Sequence, residues 1–315
     1  MRNRRIILNL APVSVLIATL AVAADVPTGS PNQAAELDML LMPSDVAIGS
    51  DGHAYVVDSR NHQVAVFDAN GARVTSLGMM GGENGQLLNP LGIGMAPNGD
   101  VWVADRGNER IVMFDASGRP RQVLELEADG EKIVPVDIAV GPRGKELFIT
   151  SNNTHQVVVF STRGEFLRAW GGEGEDEGRF RYPATIEIDS AGNVYVVDVI
   201  NARVQKFDPA GTHLLTIGEL GGKAGTFYRP KGVAVDEAGN IYVSDSFLGV
   251  VQVFSPDGGL AYVIGEGGTA TVFDTPVGLA ASGKRLYVTQ MLAGKVAVLE
   301  PQAPTPAAPE EEAAE

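Results

Sequence analysis

The residues whose types and positions come closest to a chemical site are acidic side chains on a strand that recurs through the sequence. Glu187 stands where every other copy of the strand has Ala or Gly, and Asp45, Asp137 and Thr185 hold neighbouring positions. Carboxylates that converge on one axis suit Ca²⁺, which takes about six to eight oxygen ligands. The pattern predicts a candidate Ca²⁺ site at Glu187, Asp45 and Asp137, with solvated channel residues as the alternative.

The four histidines are a weaker candidate for a metal site than these acidic residues. His62 and His155 occupy equivalent loop positions, whereas His53 and His213 fall in turns expected on the opposite face. Two His on one face fall short of a three-His zinc site, although a carboxylate can replace the third ligand. The chain has no Cys and no G-x-S-x-G motif, which excludes a thiol nucleophile and a nucleophile elbow.

Length and composition favour a folded, turn-rich β protein. The chain has 315 residues, 44% of them hydrophobic, and 38 are Gly. Such a composition indicates a globular protein, and abundant Gly suits an all-β fold with many turns. The net charge of −15 repels phosphate backbones, so nucleic acid is not expected as a partner.

The first residues are predicted to be a secretory signal peptide, residues 1–24. They read MRNRR, then an apolar stretch, then Ala21-Val22-Ala23, which matches a basic start and a small-x-small cleavage site. An uncleaved membrane anchor is the alternative, although Asn9 and Pro12 interrupt the apolar stretch. We expect a periplasmic or secreted protein with no membrane insertion after cleavage.

The rest of the chain is built from six copies of one unit. Each copy has a proline followed by an apolar run, and these prolines are Pro43, Pro90, Pro135, Pro183, Pro230 and Pro276. Successive prolines are 47, 45, 48, 47 and 46 residues apart. The fourth copy reads ATIEI, VYVVD, RVQKF and HLLTI with short polar turns between them. A period in the forties with four short β-runs is typical of propeller blades.

The sixth copy lacks its fourth run, and an N-terminal segment is predicted to supply it. AELDMLL, residues 35–41, precedes the first copy where a fourth strand would lie. Closing the ring in this way removes exposed strand edges. The sequence therefore predicts an all-β, six-bladed propeller over residues 35–300. A linker is expected at 25–34, and a disordered acidic Pro/Ala tail at 301–315.

The sequences of the six copies resemble the NHL-repeat family. The strongest matches are FLRAWGGEGEDEGRFRYPATIEIDSAGNVYVVDVINARVQKFDPAG and TIGELGGKAGTFYRPKGVAVDEAGNIYVSD. The resemblance implies a six-bladed propeller, and NHL propellers serve as sensors, as partner-binding scaffolds and occasionally as enzymes.

The resemblance also implies two classes of enzyme as candidates. An amidating lyase related to NHL proteins holds zinc with histidines, but the residues after the blade prolines include no His. They are Ser44, Leu91, Val136, Ala184, Lys231 and Val277. Lactonase-type propellers use Ca²⁺ or Zn²⁺ with Glu, Asn and Asp, which keeps Glu187 as a candidate.

The loop between the second and third runs carries a recurring acid. Asp58, Asp105, Asp198 and Asp245 share one column, and an Arg or Gln follows five residues later in most copies. We expect these Asp side chains to bond the Arg across the loop and to cap backbone N–H groups. Asn61, Asn108 and Asn201 are expected to take the left-handed conformation that the turn requires. The motif is therefore interpreted as architectural.

The same loops differ in polarity around the ring. Copies one to three carry polar residues, among them Arg60 and Arg106, whereas copies four to six carry large apolar residues. These apolar residues are Val199, Ile200, Phe247, Leu248, Met291 and Leu292. Apolar loop residues on one face predict a contact patch, with the Arg side chains at its polar rim and inward packing as the alternative.

The sequence thus predicts a non-catalytic, exported scaffold that binds a protein or peptide partner through this face. It would work within an envelope or redox assembly. The alternative is a metal-dependent lyase or a lactonase-type hydrolase with its site at the channel mouth. A sensor for a small ligand is the third hypothesis.

Overall fold

The computed structural model describes residues 27–266 and 268–304, which form six four-stranded antiparallel blades arranged in a ring. The predicted signal peptide and residues 305–315 of the predicted tail lie outside the described residues. Among the described residues, no helix has the length and apolar character needed to cross a membrane.

Each blade runs from strand a at the ring axis to strand d at the outside. Strand a spans Pro43–Ile48, Gly92–Met95, Pro135–Val140, Pro183–Ile188, Pro230–Val235 and Pro276–Ser282. Strand b spans Ala54–Asp58, Val101–Asp105, Glu146–Ser151, Val194–Asp198, Ile241–Asp245 and Arg285–Gln290. Strand c spans Gln63–Phe67, Arg110–Phe114, Gln156–Ser161, Arg203–Phe207, Val250–Phe254 and Lys295–Leu299. Strand d spans Arg73–Leu77, Pro120–Leu124, Phe166–Gly171, His213–Ile217, Leu260–Glu266 and, in blade 6, Gln33–Leu37.

The remaining elements are short. They are the strands Thr28–Gly29, Glu127–Ala128, Glu131–Lys132 and Thr269–Ala270, and the 3-10 helix Ser59–Asn61. Because strands alternate in direction, the b–c loops and the d–a connections share one face of the ring, which we call the loop face. The a–b and c–d turns form the turn face.

The hydrophobic core consists of one cluster between each pair of neighbouring blades. The cluster between blades 1 and 2 contains Val57, Val64 and Phe114, and equivalent clusters fill the other interfaces. The cluster between blades 6 and 1 joins Leu37 and Val298 to Val46. The ring therefore closes with the same kind of apolar packing that holds its other blades together.

The closing strand confirms the prediction that the N-terminal segment completes blade 6, with a shift in its bounds. Gln33–Leu37 pairs antiparallel with strand c of blade 6, and Leu37 opposes Val296. Residues 38–41 leave the strand because Met39 has a φ of 58°, and they form the connection to blade 1. The strand thus begins two residues before the predicted segment and ends four residues before its end.

Residues expected to form the linker are attached to the ring. Thr28–Gly29 pairs in parallel with Val263 and Ile264 of blade 5. Ser30 is bridged to Gln302, which lies in the segment expected to be a tail. Gly29 packs so closely on Tyr262 that an added Cβ would lie 2.5 Å from its ring. This part of the chain therefore binds the outer edges of blades 5 and 6.

Small residues on strand a face aromatic residues on strand b. Five of the six cross-strand pairs combine Ala or Gly with an aromatic residue. They are Ala47 with Tyr55, Gly94 with Trp102, Ala139 with Phe148, Ala234 with Tyr242 and Ala280 with Tyr287. In blade 4 the pair is Glu187 with Tyr195. The aromatic side chains fill the blade interfaces, so the inner strands stay narrow around the axis.

Candidate functional site

The recurring acid of the b–c loop ties the loop to the d–a connection before it. Asp105 is fully buried, and its Oδ1 accepts the backbone N–H of Leu88 at 2.6 Å. Its Oδ2 accepts Asn108 Nδ2 at 2.7 Å and Arg110 Nε at 2.9 Å. Asp198 bonds Asn201 and Arg203 in the same way. The predicted Asp–Arg bond and the capping of backbone N–H groups are confirmed.

The arginine of this motif also fixes the glycine-rich connection. The Arg110 guanidinium donates to the carbonyls of Gly82, Glu83 and Gln86 at 2.6, 2.9 and 2.9 Å. A planar guanidinium can satisfy several acceptors at once, which Lys cannot do. The motif is therefore architectural, as the sequence predicts.

The prediction that the Asn residues adopt the left-handed conformation is wrong. The residues with positive φ are their successors, His62 at 55°, Glu109 at 54° and Ala202 at 53°. The Asn side chains instead donate to the Asp of the same loop, as Asn61 does to Asp58 at 2.8 Å. The amide is thus required for its N–H donors, and the strained backbone falls one residue later.

Two of the histidines have structural hydrogen bonds on the loop face. His62 Nδ1 accepts the backbone N–H of Asn89 at 2.9 Å, and His155 Nδ1 accepts that of Tyr182 at 3.2 Å. Their equivalence, predicted from the repeat, is confirmed. His53, in the a–b turn of blade 1, pairs with Asp51, and His213, the first residue of strand d in blade 4, lies 3.5 Å from Glu177 Oε2 of the preceding connection.

The predicted contact residues divide by their position in the loop. The second residue after the Asp column points to solvent, as shown by Ile200 at 56%, Phe247 at 59% and Leu292 at 68% exposure. Arg60 is exposed as well, and Arg106 is half-buried. The first position faces inward: Val199 is 9% exposed and Met291 is half-buried. The loop face therefore presents one large side chain, not two, in blades 4 and 6.

Blade 5 follows the same rule but with a different residue pair. The two residues after Asp245 are Ser246 and Phe247, while Leu248 occupies the Asn position and packs on a small cluster with Val250 and Val263. Having no Asn or Arg partner, Asp245 accepts four backbone N–H groups. These belong to Tyr228, Arg229, Phe247 and Leu248. Backbone groups thus replace the lost side chains at this loop.

The d–a connections add exposed apolar residues that the sequence reasoning missed. Of the fifteen large hydrophobic side chains exposed in the described part of the chain, eleven lie on the loop face and four on outer d strands. The connections contribute Met39, Leu41, Met79, Met80, Tyr182, Leu220, Tyr228 and Val272. Met80 and Leu220 are equivalent, since each forms a β-bridge with a buried residue of its own connection. Met80 is bridged to Leu87, and Leu220 is bridged to Phe227. Aligning GMMGG with GELGG would have found this pair.

Tyr228 and Phe247 form a stacked aromatic pair within this apolar surface. Their rings stack at 4.2 Å with an interplanar angle of 25°, although both remain at least half exposed. They join a d–a connection to a b–c loop of blade 5. Rigid aromatic side chains that are partly exposed are the usual anchors of protein contacts.

The axial acids hold neighbouring blades together. Asp45 of blade 1 accepts the backbone N–H of Ile93 in blade 2 at 3.1 Å. Asp137 of blade 3 accepts that of Ile186 in blade 4 at 2.8 Å. Gly92 lies between them, and a Cβ there would meet Asp137 at 2.1 Å. Asp45 and Asp137 therefore both lie beside strand a of blade 2.

These carboxyl groups line the axial cavity, whose volume is about 210 Å³. Burial, reinforced by the charge of Asp137, raises the pKa of Asp45 well above its usual value. Burial raises the pKa of Asp137 to about 6. Burial, with the charges of Asp137 and Asp189, raises the pKa of Glu187 to about 8. The cavity therefore favours neutral carboxyl groups.

The structure brings Asp45 and Asp137 together but places Glu187 two residues deeper along its strand than Thr185, the position equivalent to the two Asp residues. Across residues 27–304, apart from residue 267, no group of three or more His, Asp or Glu side chains is arranged to hold a metal ion. Thr185 itself donates to the carbonyl of Lys231 at 2.6 Å. The Ca²⁺ site stays a prediction, and the observed bonds of the two Asp residues join blades.

The mouth of the channel on the loop face is a separate, mainly apolar depression of about 130 Å³. All six residues that follow the blade prolines line it, with Met291 at its edge and Asp45 and Asp137 at its floor. Lys231 is the charged member of those six. Burial and the nearby Arg229 charge lower the pKa of Lys231.

Comparisons with known proteins agree with this architecture. The NHL repeat profile matches residues 40–67 and 87–114, in blades 1 and 2. A family described as a 6-bladed β-propeller matches residues 139–220.

Solved structures with a similar fold have diverse activities. A virginiamycin B lyase from Staphylococcus aureus is 15% identical with a TM-score of 0.60, covering 84% of each chain. Kuenenia stuttgartiensis hydrazine synthase is 15% identical with a TM-score of 0.60, covering 84% of this chain and 97% of that one. A Xanthomonas campestris gluconolactonase is 16% identical with a TM-score of 0.65, covering 88% and 96%. At these identities the likeness concerns the fold alone.

The matched repeats and the closed ring of six blades lead to one assignment. The chain is a six-bladed β-propeller that carries NHL repeats in blades 1 and 2.

Proposed function

We propose that this propeller is a non-catalytic scaffold that binds a protein partner through its loop face. The observation that carries the proposal is the placement of exposed apolar residues, eleven of fifteen on this one face. A monomer gains nothing from exposing large apolar side chains together, and such surfaces commonly mark contact sites. We further propose an exported protein that works in an envelope or redox assembly, on the basis of residues 1–24.

The construction of the face supports a binding role. Asp105 and Arg110, with their equivalents, fix loop and connection to each other, so the exposed side chains stand on a rigid base. Binding to a rigid surface loses less conformational entropy than binding to mobile loops. Tyr228 and Phe247 are the expected anchors because they are stacked before the partner arrives.

The test compares two sets of exposed apolar residues. In the loop-face variant, Ile200, Phe247 and Leu292 are each changed to Ser. In the control variant, Val74, Leu167 and Leu214 of the outer d strands are changed to Ser. All six side chains are at least two-fifths exposed, so both variants should unfold at temperatures close to the wild type.

Tagged protein is incubated with an envelope extract, and the bound proteins are quantified by mass spectrometry. We expect the loop-face variant to lose a protein that the wild type and the control both retain. The purified partner should then slow amide hydrogen exchange at residues 200 and 247. Equal retention by both variants, or protection on the turn face instead, would exclude the loop face as the contact surface.

The second candidate function is a metal-dependent lyase or lactonase-type hydrolase at the channel mouth. The observation that favours it is the group of acids with raised pKa along the axis, beneath an open mouth. Structural neighbours named as a virginiamycin B lyase and a gluconolactonase show that propellers can support such chemistry.

Calorimetry with Ca²⁺ on chelator-washed protein, repeated on Glu187→Ala, tests this candidate together with a panel of lactones and esters. Binding that depends on Glu187 and turnover that depends on the metal would support the enzyme. Heat of binding that is unchanged in Glu187→Ala would exclude the axial site.

A further inference from the structure

The loop face has an inner ring of residues around the channel mouth. We define this inner ring as the residues on either side of each blade proline and the first two residues of each b–c loop. In blade order they are Met42, Ser44, Ser59, Arg60, Asn89, Leu91, Arg106, Gly107, Val134, Val136, Asn152, Asn153, Tyr182, Ala184, Val199, Ile200, Arg229, Lys231, Ser246, Phe247, Thr275, Val277, Met291 and Leu292.

The charge of the inner ring is opposite to that of the protein. The chain carries a net charge of −15, yet the inner ring contains four basic residues and no Asp or Glu. The four are Arg60, Arg106, Arg229 and Lys231. Charges of one sign around a concave, low-dielectric mouth focus the field there and attract groups of the opposite sign.

The four basic side chains have no salt bridges among the described residues. Arg60 and Arg229 are exposed, and Arg106 and Lys231 are half-buried. Of the acids next to Arg106 in sequence, Asp105 is bonded to Arg110 at 2.9 Å and Glu109 to Lys132 at 2.9 Å. Their charges are therefore available to a ligand.

Acids lie outside and below this ring. Asp274 stands one position further out, and the connections carry Glu83, Glu173, Glu175, Asp176, Glu177 and Glu219, all exposed. Beneath the mouth, Asp45 and Asp137 direct oxygens to the backbone N–H groups of Ile93 and Ile186. The connections mix these acids with bases such as Arg179 and Lys223, whereas the inner ring has bases alone, next to the apolar residues Ile200, Phe247 and Leu292.

We propose that the inner ring recognises an acidic segment of a protein partner, whose carboxylates pair with Arg60, Arg106, Arg229 and Lys231 and whose apolar side chains contact Ile200, Phe247 and Leu292. The charge complementarity of this ring within an acidic protein carries the proposal. It rests on the proposed scaffold function and specifies the chemistry of the partner. A basic partner would instead meet repulsion at the centre of the face and attraction at its acidic rim.

The test uses two terminally blocked peptides with the same Leu and Phe residues. One has Glu at every charged position, and the other has Lys. Fluorescence anisotropy measures the affinity of each for the full chain at low and at high salt. We expect the acidic peptide to bind more tightly, with an affinity that falls as salt rises because exposed ion pairs are screened.

A matched pair of double variants locates the charges. Arg229→Ala with Lys231→Ala removes two bases from the inner ring. Arg143→Ala with Lys145→Ala removes two bases with the same spacing from the turn face, where both side chains are exposed. We expect the first variant to bind the acidic peptide about tenfold more weakly, as the loss of two solvent-accessible ion pairs would give, and the second to bind like the wild type.

Each outcome decides the proposal. Equal affinity for the two peptides, or an equal loss in both double variants, would overturn it. If the loop-face Ser variant loses its protein partner but the inner-ring double variant keeps it, the scaffold stands and the acidic preference fails. If the inner-ring variant loses the acidic peptide while no partner depends on the loop face, the site stands and the scaffold function fails.

Discussion

The two faces of the propeller are built from the same repeats, but they differ in how their loops are hydrogen-bonded and in which side chains they expose. On the turn face, short turns satisfy their own backbone groups, as Asp68 does for the N–H groups of Asn70 and Ala72 at 2.9 Å. Within the described residues this face has no large hydrophobic side chain that is exposed. On the loop face, buried acids hold longer segments that expose apolar residues. Of the two, the loop face therefore combines a rigid base with exposed apolar side chains.

The largest expected effect comes from the acids that hold the loop face. Asp105→Ala leaves the buried Arg110 guanidinium and the Leu88 N–H without their acceptor, so the free energy of unfolding should fall by about 3–5 kcal/mol. Asp68→Ala on the turn face removes bonds that solvent can replace and should cost about 1 kcal/mol. Chemical denaturation of both variants measures the difference. Equal losses would mean that the two faces are held alike.

The second largest effect is a pH-dependent change in stability, expected at Glu187 on the ring axis. Burial raises the pKa of Glu187 to about 8, so folding favours its neutral form. This stabilisation is complete below the usual pKa of 4.5 and is lost as pH rises towards 8. Glu187→Gln, which stays neutral, should therefore raise the unfolding temperature at pH 8 by a few degrees more than at pH 5. The Asp137 contribution has the same sign but is present in both proteins.

Scanning calorimetry across this pH range provides the measurement, with Tyr195→Phe as a control for general changes at the pair of strands. A gain from Glu187→Gln that is the same at both pH values would show that Glu187 is already ionised in the folded protein.

A smaller effect is expected where Arg110 clamps the connection between blades 1 and 2. Arg110→Lys cannot reach the carbonyls of Gly82, Glu83 and Gln86 together, and should cost about 1–2 kcal/mol. Amide hydrogen exchange should accelerate at residues 79–88 and stay unchanged on the turn face. Arg121→Lys, at an exposed ion pair with Asp115, is the control and should leave exchange as it is.

The smallest effect distinguishes two adjacent residues of one loop. Ile200→Ser should change the free energy of unfolding by less than about 0.5 kcal/mol, because the side chain is 56% exposed. Val199→Ser should cost about 1–2 kcal/mol, since Val199 is 9% exposed and packs between blades 4 and 5. Urea unfolding of both variants checks this order. The reverse order would contradict the rule that the second loop position faces solvent.

The sequence was sufficient for the architecture because the repeat shows each blade six times. The proline spacing, the missing strand of blade 6 and the Asp–Arg pairs all follow from aligned columns. The bounds of Gln33–Leu37 did not, because the turn at Met39 has a left-handed residue that is neither Gly nor Asn. Local composition does not reveal such a turn when tertiary contacts hold it.

Side-chain direction within the loops was the main part that the sequence could not provide. Val199 and Ile200 are both apolar, and their opposite exposure depends on how the 3-10-like turn faces the next blade. The apolar residues of the d–a connections were missed because these segments vary in length and have no strand periodicity. The charge of the inner ring also became visible only when residues distant in sequence were brought to one mouth.

The closing strand has a consequence for how the protein is made. Glu36 pairs with Lys295, 259 residues later, so strand d of blade 6 leaves the ribosome long before strand c. Until blade 6 is synthesised, the strand Gln33–Leu37 has no strand to pair with, and the earlier blades form an open arc. Assembly of the last interface should therefore limit the rate of maturation, and chaperones would find their main target in the unpaired ends of that arc.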